Sequence, residues 1–246
     1  MTNKPIKIAP GVYGLVGGPV NAYVLDDRES SVIAVDSGLP GWGRRVLSLV
    51  ASIGRKAEDL SRILITHADI DHVGGLKSLV AAAGAEVFAS AEAARYIRAR
   101  RSPPHIGFSM IVPVAIMNLL FGRRIPVARE LADGDRLKVL GGLRVISTPG
   151  HTPDHLCFFL EREGLLFAGD LFRNVAGLEL FPRNAWNREA MKASLRKVAS
   201  LNPRLICPGH GRVWKGDEDP GRLSALIEGS EALPCAAARR TTSSSN

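Results

Sequence analysis

Two histidines and two aspartates crowd into six residues, His67, Asp69, Asp71 and His72, directly behind the apolar run Ile63-Leu64-Ile65. Imidazole and carboxylate are the groups that hold zinc, manganese and iron, so this density points first to metal chemistry. Residues 67, 69 and 71 alternate, and an extended loop leaving a strand would project them toward one side, while His72 opens the helix that the following residues suggest. Three further turns carry one ligand-type residue each: His151 in Thr-Pro-Gly-His-Thr-Pro, Asp170 in Phe-Ala-Gly-Asp-Leu-Phe, and His210 in Cys-Pro-Gly-His-Gly. A glycine precedes each of the three, and glycine permits the turn that aims one side chain from a strand end into a shared cleft. Of the six histidines in the chain, His67, His72, His151 and His210 all fall in such turns. Any one of them alone would read as a hydrogen-bonded structural residue. The seven together exceed one tetrahedral site, and two adjacent ions sharing a carboxylate accommodate them better.

The elements that must position these residues follow from the apolar periodicity. Ile6 to Ile8, Val12 to Val16, Asn21 to Leu25 and Val32 to Val35 are short, β-rich and separated by Gly, Pro, Asp and Ser, which predicts a meander of strands. Asp36-Ser37-Gly38 ends the last of them, and Trp42 to Ile53 has helical spacing. Strand 63 to 66 leads into the ligand cluster, followed by a helix over Val73 to Ala83, a strand over Glu86 to Ala89 and a helix over Ala91 to Arg100. The second half repeats the plan with strands at Arg136 to Leu140, Leu143 to Ser147, Leu156 to Leu160 and Leu165 to Ala168. A helix over Arg188 to Leu201, a strand over Arg204 to Cys207 and a closing helix over Arg222 to Leu233 complete it. The expected organisation is one domain over residues 1 to 235 and a disordered Ala/Arg/Thr/Ser tail over 236 to 246.

Composition narrows the classes. With 246 residues, 46% of them hydrophobic, the chain can bury a large α/β core. The polar, Pro-interrupted opening Met1-Thr-Asn-Lys-Pro is not a secretory signal, and the three cysteines, Cys157, Cys207 and Cys235, are odd in number and widely spaced. Both features predict a cytoplasmic protein with reduced thiols. A formal net charge of +8 would favour anionic partners, but the arginines are scattered and no aromatic-interleaved basic motif occurs, so nucleic acid is not expected.

One stretch departs from this economy. Between the halves, residues 98 to 129 form an insertion whose centre, Ile106 to Phe121, is almost wholly apolar and includes Phe108, Met110 and Ile116. Its flanks carry Arg98, Arg100, Arg101, Arg123, Arg124 and Arg129. The run is shorter than the ~20 residues that span a bilayer, and Pro113 interrupts it. Three readings remain: a helix packed into the core or a homodimer interface, an apolar lid over a substrate pocket, or a peripheral membrane segment anchored by arginines on anionic lipid.

The five turns, in this order and spacing, resemble the metallo-β-lactamase superfamily, which includes glyoxalase II, lactonases, β-lactamases, nucleases and persulfide-oxidising members. The resemblance covers Ile6 to Leu233 and implies a four-layer αβ/βα sandwich, here with a helical apolar insertion. It implies that His67, Asp71 and His72 match the first metal motif, that His151, Asp170 and His210 match the later ligand turns, and that Asp36 matches the acid that supports the site loops from behind. Asp69 stands where the family has its second histidine. By the family arrangement, residues 67, 69 and 151 hold one ion, residues 71, 72 and 210 hold the other, and Asp170 bridges. Two divalent ions with three carboxylates bound sum to about +1, against about +2 with a histidine at 69, which makes the site harder and less Lewis-acidic.

The implied activity is hydrolysis of a carboxylic ester, lactone or thioester with an apolar acyl group. Two divalent ions, zinc foremost with manganese or iron as alternatives, would serve as cofactors, with Asp71 orienting the nucleophile and Asp170 bridging the ions. His155 carries two readings, a donor to substrate or a satisfied supporting group. The departure at Asp69 raises a second reaction class, in which His67, His151 and Asp170 hold a single Fe(II) as in persulfide dioxygenases. A third reading is a non-catalytic or membrane-peripheral binding member.

Overall fold

In the computed structural model, residues 4–28, 31–105, 108–122, 124–180 and 185–231 are described, with the backbone alone at 4, 108–111, 121 and 231. The short β-branched runs build two seven-stranded sheets. The first takes β1 (Lys4–Ala9), β2 (Val12–Val16), β3 (Ala22–Asp26) and β4 (Val32–Val35) as an antiparallel meander. It continues in parallel through β5 (Leu60–Leu64), β6 (Glu86–Ser90) and β7 (Val127–Leu131). The second runs in the order β14 (Trp214–Lys215), β13 (Leu205–Gly211), β11 (Leu165–Asn174), β10 (Leu156–Leu160), β9 (Leu143–Ser147), β8 (Arg136–Leu137), with β12 (Leu178–Leu180) paired to β11.

Strand periodicity divides the apolar residues among three cores. On β4, Val32 and Ala34 face outward, into a cluster with Val46, Leu49 and Val50 of α1 (Gly43–Ser52), Leu79 of α3 (Leu76–Ala83) and Ile97 of α4 (Ala91–Ala99). The alternate residues Ile33 and Val35 face inward and meet Val145, Phe158 and Phe167 of the second sheet. On the far side Ile146, Cys157 and Ile206 pack against Met191, Leu195 and Val198 of α6 (Arg188–Ala199), with Leu223 and Leu226 of α7 (Arg222–Glu231) beside them. Helices, sheet, sheet, helices: this is the four-layer αβ/βα sandwich expected. A strand such as β4, covered on both faces, must read as an unbroken apolar run, and Val-Ile-Ala-Val does.

The helical insertion is present as α5 (Phe108–Phe121), but it lies inside the first half instead of between the halves. The end of the insertion, residues 127 to 129, instead opens the edge strand β7 (Val127–Leu131). Its residues Ala128, Arg129 and Glu130 are exposed, so no alternation betrays it. Helix α5 is apolar all round, and Val112, Ile116 and Leu119 are exposed. Ile106 lies outside the described residues, and of Phe108, Met110 and Phe121 only the backbone is described. Leu233 and the tail from 236 onward also lie outside them. Among the described residues no helix is long and apolar enough to cross a membrane. Cys157 and Cys207 are free buried thiols, their pKa values pushed up by burial.

Candidate metal centre

The first ligand cluster hangs from the end of β5, and Asp36 organises it. Asp36 leaves β4 in the left-handed region, φ 60°, a conformation that aspartate tolerates better than most side chains. Its Oδ1 accepts the Thr66 amide and its Oδ2 accepts the Thr66 hydroxyl, both at 2.8 Å. The same Oδ2 lies 2.8 Å from His72 Nδ1. Thr66 Oγ1, having donated to Asp36, accepts from His67 Nδ1 at 3.0 Å. Both rings are thereby oriented with Nδ1 turned back to its partner and Nε2 facing forward. Asp71 and His72 sit on the single turn α2 (Ile70–Val73), closed by the His72 and Val73 amides on the Asp69 carbonyl. The extended loop expected from the sequence therefore ends at Asp69, because that carbonyl starts a helical turn one residue later.

The second sheet supplies the other three. His151 follows β9 and His210 is the next-to-last residue of β13, as expected of strand ends, whereas Asp170 lies in the middle of β11. The β11–β13 register slips around Gly169, whose φ of 45° makes a bulge that re-aims Asp170. A side chain at 169 would put its Cβ 2.6 Å from His155 Nε2. At Gly209 the neighbour is the Asp170 carboxylate itself, so β13 approaches Asp170 closely only because residue 209 has no Cβ. His210 Nδ1 donates to the Pro19 carbonyl, which leaves its Nε2 turned toward Asp170 and Asp71.

All seven residues expected from the sequence converge. His67, Asp69 and His151 form one group, Asp71, His72 and His210 another, and His67, His72 and Asp170 a third that overlaps both. Within each group the ligand atoms lie within 4.8 Å of one another. Asp170 sits between the first two groups, its oxygens 3.3 Å from His72 Nε2, 3.6 Å from His151 Nε2 and 3.2 Å from His210 Nε2. His67 Nε2, His72 Nε2, Asp69 Oδ1 and Asp170 Oδ1 are buried and have no hydrogen-bond partner among the described residues. Lone pairs left bare in the interior are costly unless a cation takes them up, so this donor set fits one or two divalent ions.

The charges agree. Burial opposes ionisation of Asp69, yet His105, His151 and His67 outweigh it and hold the carboxyl well below its usual range. Asp170 is held low in the same way, against burial, by His210 and His72. Burial lowers His72, but Asp170, Asp36 and Asp71 overcome it and raise the ring well above its ordinary value. His155 behaves oppositely: burial, then His67 and His151, push it well below the normal imidazole range. Its Nε2 accepts the Asp170 amide at 3.1 Å and its Nδ1 lies 2.8 Å from Thr148 Oγ1. Both ring nitrogens of His155 are thus engaged within the protein, one of them behind Asp170.

Four residues at the centre were not singled out from the sequence. His105 Nε2, from the segment before α5, lies 3.0 Å from Asp69 Oδ2, with only 6% of its side chain exposed. Asp154 Oδ2 accepts the Ala68 amide at 2.7 Å and so pins the loop between His67 and Asp69. Asn21 Nδ2 donates to the Pro208 and Gly211 carbonyls at 2.8 and 2.9 Å, and Tyr23 Oη donates to Pro208 at 2.6 Å. Asn21, just before β3, and Tyr23, within it, clamp the backbone on either side of His210. Asp154 had a signal, its place in the same turn as His151; the others had none at short range.

The comparisons fit this geometry. The profile of the metallo-beta-lactamase superfamily matches residues 15–210. The uncharacterized protein YobT of Bacillus subtilis is 30% identical over 216 residues, 82% of this chain and 87% of that protein. A hydroxyacylglutathione hydrolase of Cereibacter sphaeroides is 33% identical over 194 residues, 77% of this chain and 61% of its own. Among solved structures, the metallo-beta-lactamase family protein TTHA1429 of Thermus thermophilus superposes with a TM-score of 0.71 at 26% identity, covering 92% of this chain and 81% of its own. The chain spans 54% to 64% of the length of several further curated relatives. With the profile spanning both sheets and the ligand turns in the family's order, the chain belongs to the metallo-beta-lactamase superfamily.

Proposed function

We propose that the protein is a metal-dependent hydrolase of carboxylic esters, lactones or thioesters. The observation that carries this reading is the set of bare, buried ligand atoms on His67, His72, Asp69 and Asp170, with Asp170 lying between two separate ligand triads. His67, Asp69 and His151 would hold one ion, Asp71, His72 and His210 a second, with Asp170 between them, and zinc suits this nitrogen and oxygen donor set best. Bound there, the ions supply Lewis acidity toward a carbonyl oxygen and lower the pKa of water. Two triads with no residue in common, 67/69/151 and 71/72/210, favour two ions over the single iron of a dioxygenase, and a relative named for hydrolysis of an acylglutathione supports the same reaction class.

The chain's own residues do the rest. Asp36, Thr66 and the Pro19 carbonyl hold three imidazoles in one orientation, so the ligands need no reorganisation. Asp71 is the most exposed of the three carboxylates, 31% against 11% for Asp69 and 5% for Asp170. It is the one that can orient an incoming water and accept its proton on Oδ2. The substrate is a small molecule, and no nucleic-acid partner is part of this reading.

The test is metal content followed by hydrolysis. Protein purified without added metal, then dialysed, should carry about two zinc or manganese ions per chain by this reading. It should cleave at least one of a panel of p-nitrophenyl esters, acyl lactones and acyl thioesters, with activity removed by chelator and restored by metal. One iron per chain with oxygen uptake and no hydrolysis would overturn it.

A further inference from the structure

Beside the metal centre lies a cavity of about 810 Å³ whose chemistry is more specific than an apolar pocket. One wall is α5, through Val114 and Leu119; another is the segment from Arg100 to His105; Trp186 lines the third. Two contacts join it to the metal ligands. His105, on its lining, reaches Asp69 at 3.0 Å, and the Trp186 amide donates to the His151 carbonyl at 3.0 Å. The walls are tied to each other where Asn118 Nδ2 of α5 donates to Ser102 Oγ at 3.1 Å.

The arginines around the insertion divide into two kinds. Arg98 pairs with Glu130 at 3.5 Å and Arg129 with Asp135 at 3.6 Å, both on the surface. Arg100 and Arg101 line the cavity and make no ion pair with an acidic side chain among the described residues. Arg100 also occupies the left-handed C-cap of α4, φ 53°, a backbone state that disfavours any side chain but glycine, asparagine or aspartate. Two adjacent arginines and the apolar residues of α5 on the lining of one cavity that borders the metal centre describe a ligand with an anionic group, an apolar chain and a reactive carbonyl.

We infer that this cavity binds an acyl compound bearing a phosphate or carboxylate, with Arg100 and Arg101 taking the anion and α5 taking the alkyl chain. The inference rests on the hydrolase reading for where the carbonyl lies, but the binding itself can be measured without turnover.

The probes are three thioethers that cannot be hydrolysed: S-octyl-coenzyme A with phosphates, S-octylglutathione with carboxylates, and the neutral S-octyl-N-acetylcysteamine. Titration calorimetry on the full metal-loaded chain should show at least one anionic probe binding ten-fold or more tighter than the neutral one. Which one does so identifies the anion as phosphate or carboxylate. Shortening its octyl chain to butyl should weaken it by about three-fold or more per methylene removed. In an Arg100→Asn/Arg101→Gln variant, where asparagine tolerates the left-handed backbone, the preference should fall to within two-fold. Leu119→Asp should weaken all three probes together, which separates the alkyl wall from the anion site if the double variant folds poorly. Neutral binding as tight as both anionic probes, or a preference that survives the double variant, overturns the proposal. Absence of hydrolysis with the binding pattern intact instead overturns only the hydrolase reading.

Discussion

His105 Nε2 lies 3.0 Å from Asp69 Oδ2, and the same oxygen lies 3.3 Å from His67 Nε2 and 3.5 Å from His151 Nε2. Three imidazoles thus surround one carboxylate oxygen, and one of them arrives from the insertion. Removing it leaves Asp69 with less to hold it against its own burial. His105→Ala should therefore lower metal affinity by about 10- to 100-fold, the range expected when a ligand loses its supporting partner. His105→Asn, which keeps a donor, should recover part of it. Unchanged stoichiometry and affinity in both variants would detach the insertion from the centre.

Asp69→His tests the position itself. If the Asp69 carboxylate holds an ion, the substitution removes one negative charge from the cluster and should shift metal preference toward zinc over manganese, read by competition between the two metals. Identical competition curves would place residue 69 outside the ligand set.

Asp36→Asn separates backbone strain from charge, because asparagine also tolerates φ 60°. It removes the carboxylate that fixes both Thr66 and His72. The expected cost is about 2 to 4 kcal/mol of stability with loss of metal, measured by denaturant unfolding of the apo and loaded protein. A variant as stable as the wild type would show that the His72 orientation is set elsewhere.

Gly209→Ala should leave the fold standing and empty the centre. Its Cβ would intrude on the Asp170 carboxylate, which must move away from the imidazoles it now approaches. Circular dichroism close to wild type together with reduced metal per chain is the expected pair of results. Full occupancy would mean that β13 can shift to make room.

Most of the centre was legible in the chain because ligand-type residues are few and each of these follows or adjoins a glycine turn, as His151, Asp170 and His210 do. What escaped was held by distance or by weak pattern. Asn21 reaches carbonyls 187 and 190 residues away, a relation only the folded sheets create. His105 sits before an apolar run with no motif around it, and its partner Asp69 lies 36 residues earlier in the chain. Strand β7 was missed because an edge strand with three exposed residues in five shows no alternation. Strands β12 and β14 have three and two residues, too short for any period to register.

All six histidines of the chain stand at this one place, each ring within 6 Å of another: His67 beside His72 at 4.0 Å and beside His155 at 5.2 Å, His105 beside His151 at 4.6 Å, His72 beside His210 at 5.7 Å. Spectroscopically, the protein has no background imidazole. Every histidine resonance in a heteronuclear spectrum, every photon of an imidazole Raman band and every equivalent of a histidine-modifying reagent reports on the centre alone, so that loading, exchange and ligand arrival can be followed at natural sequence, without labels or variants.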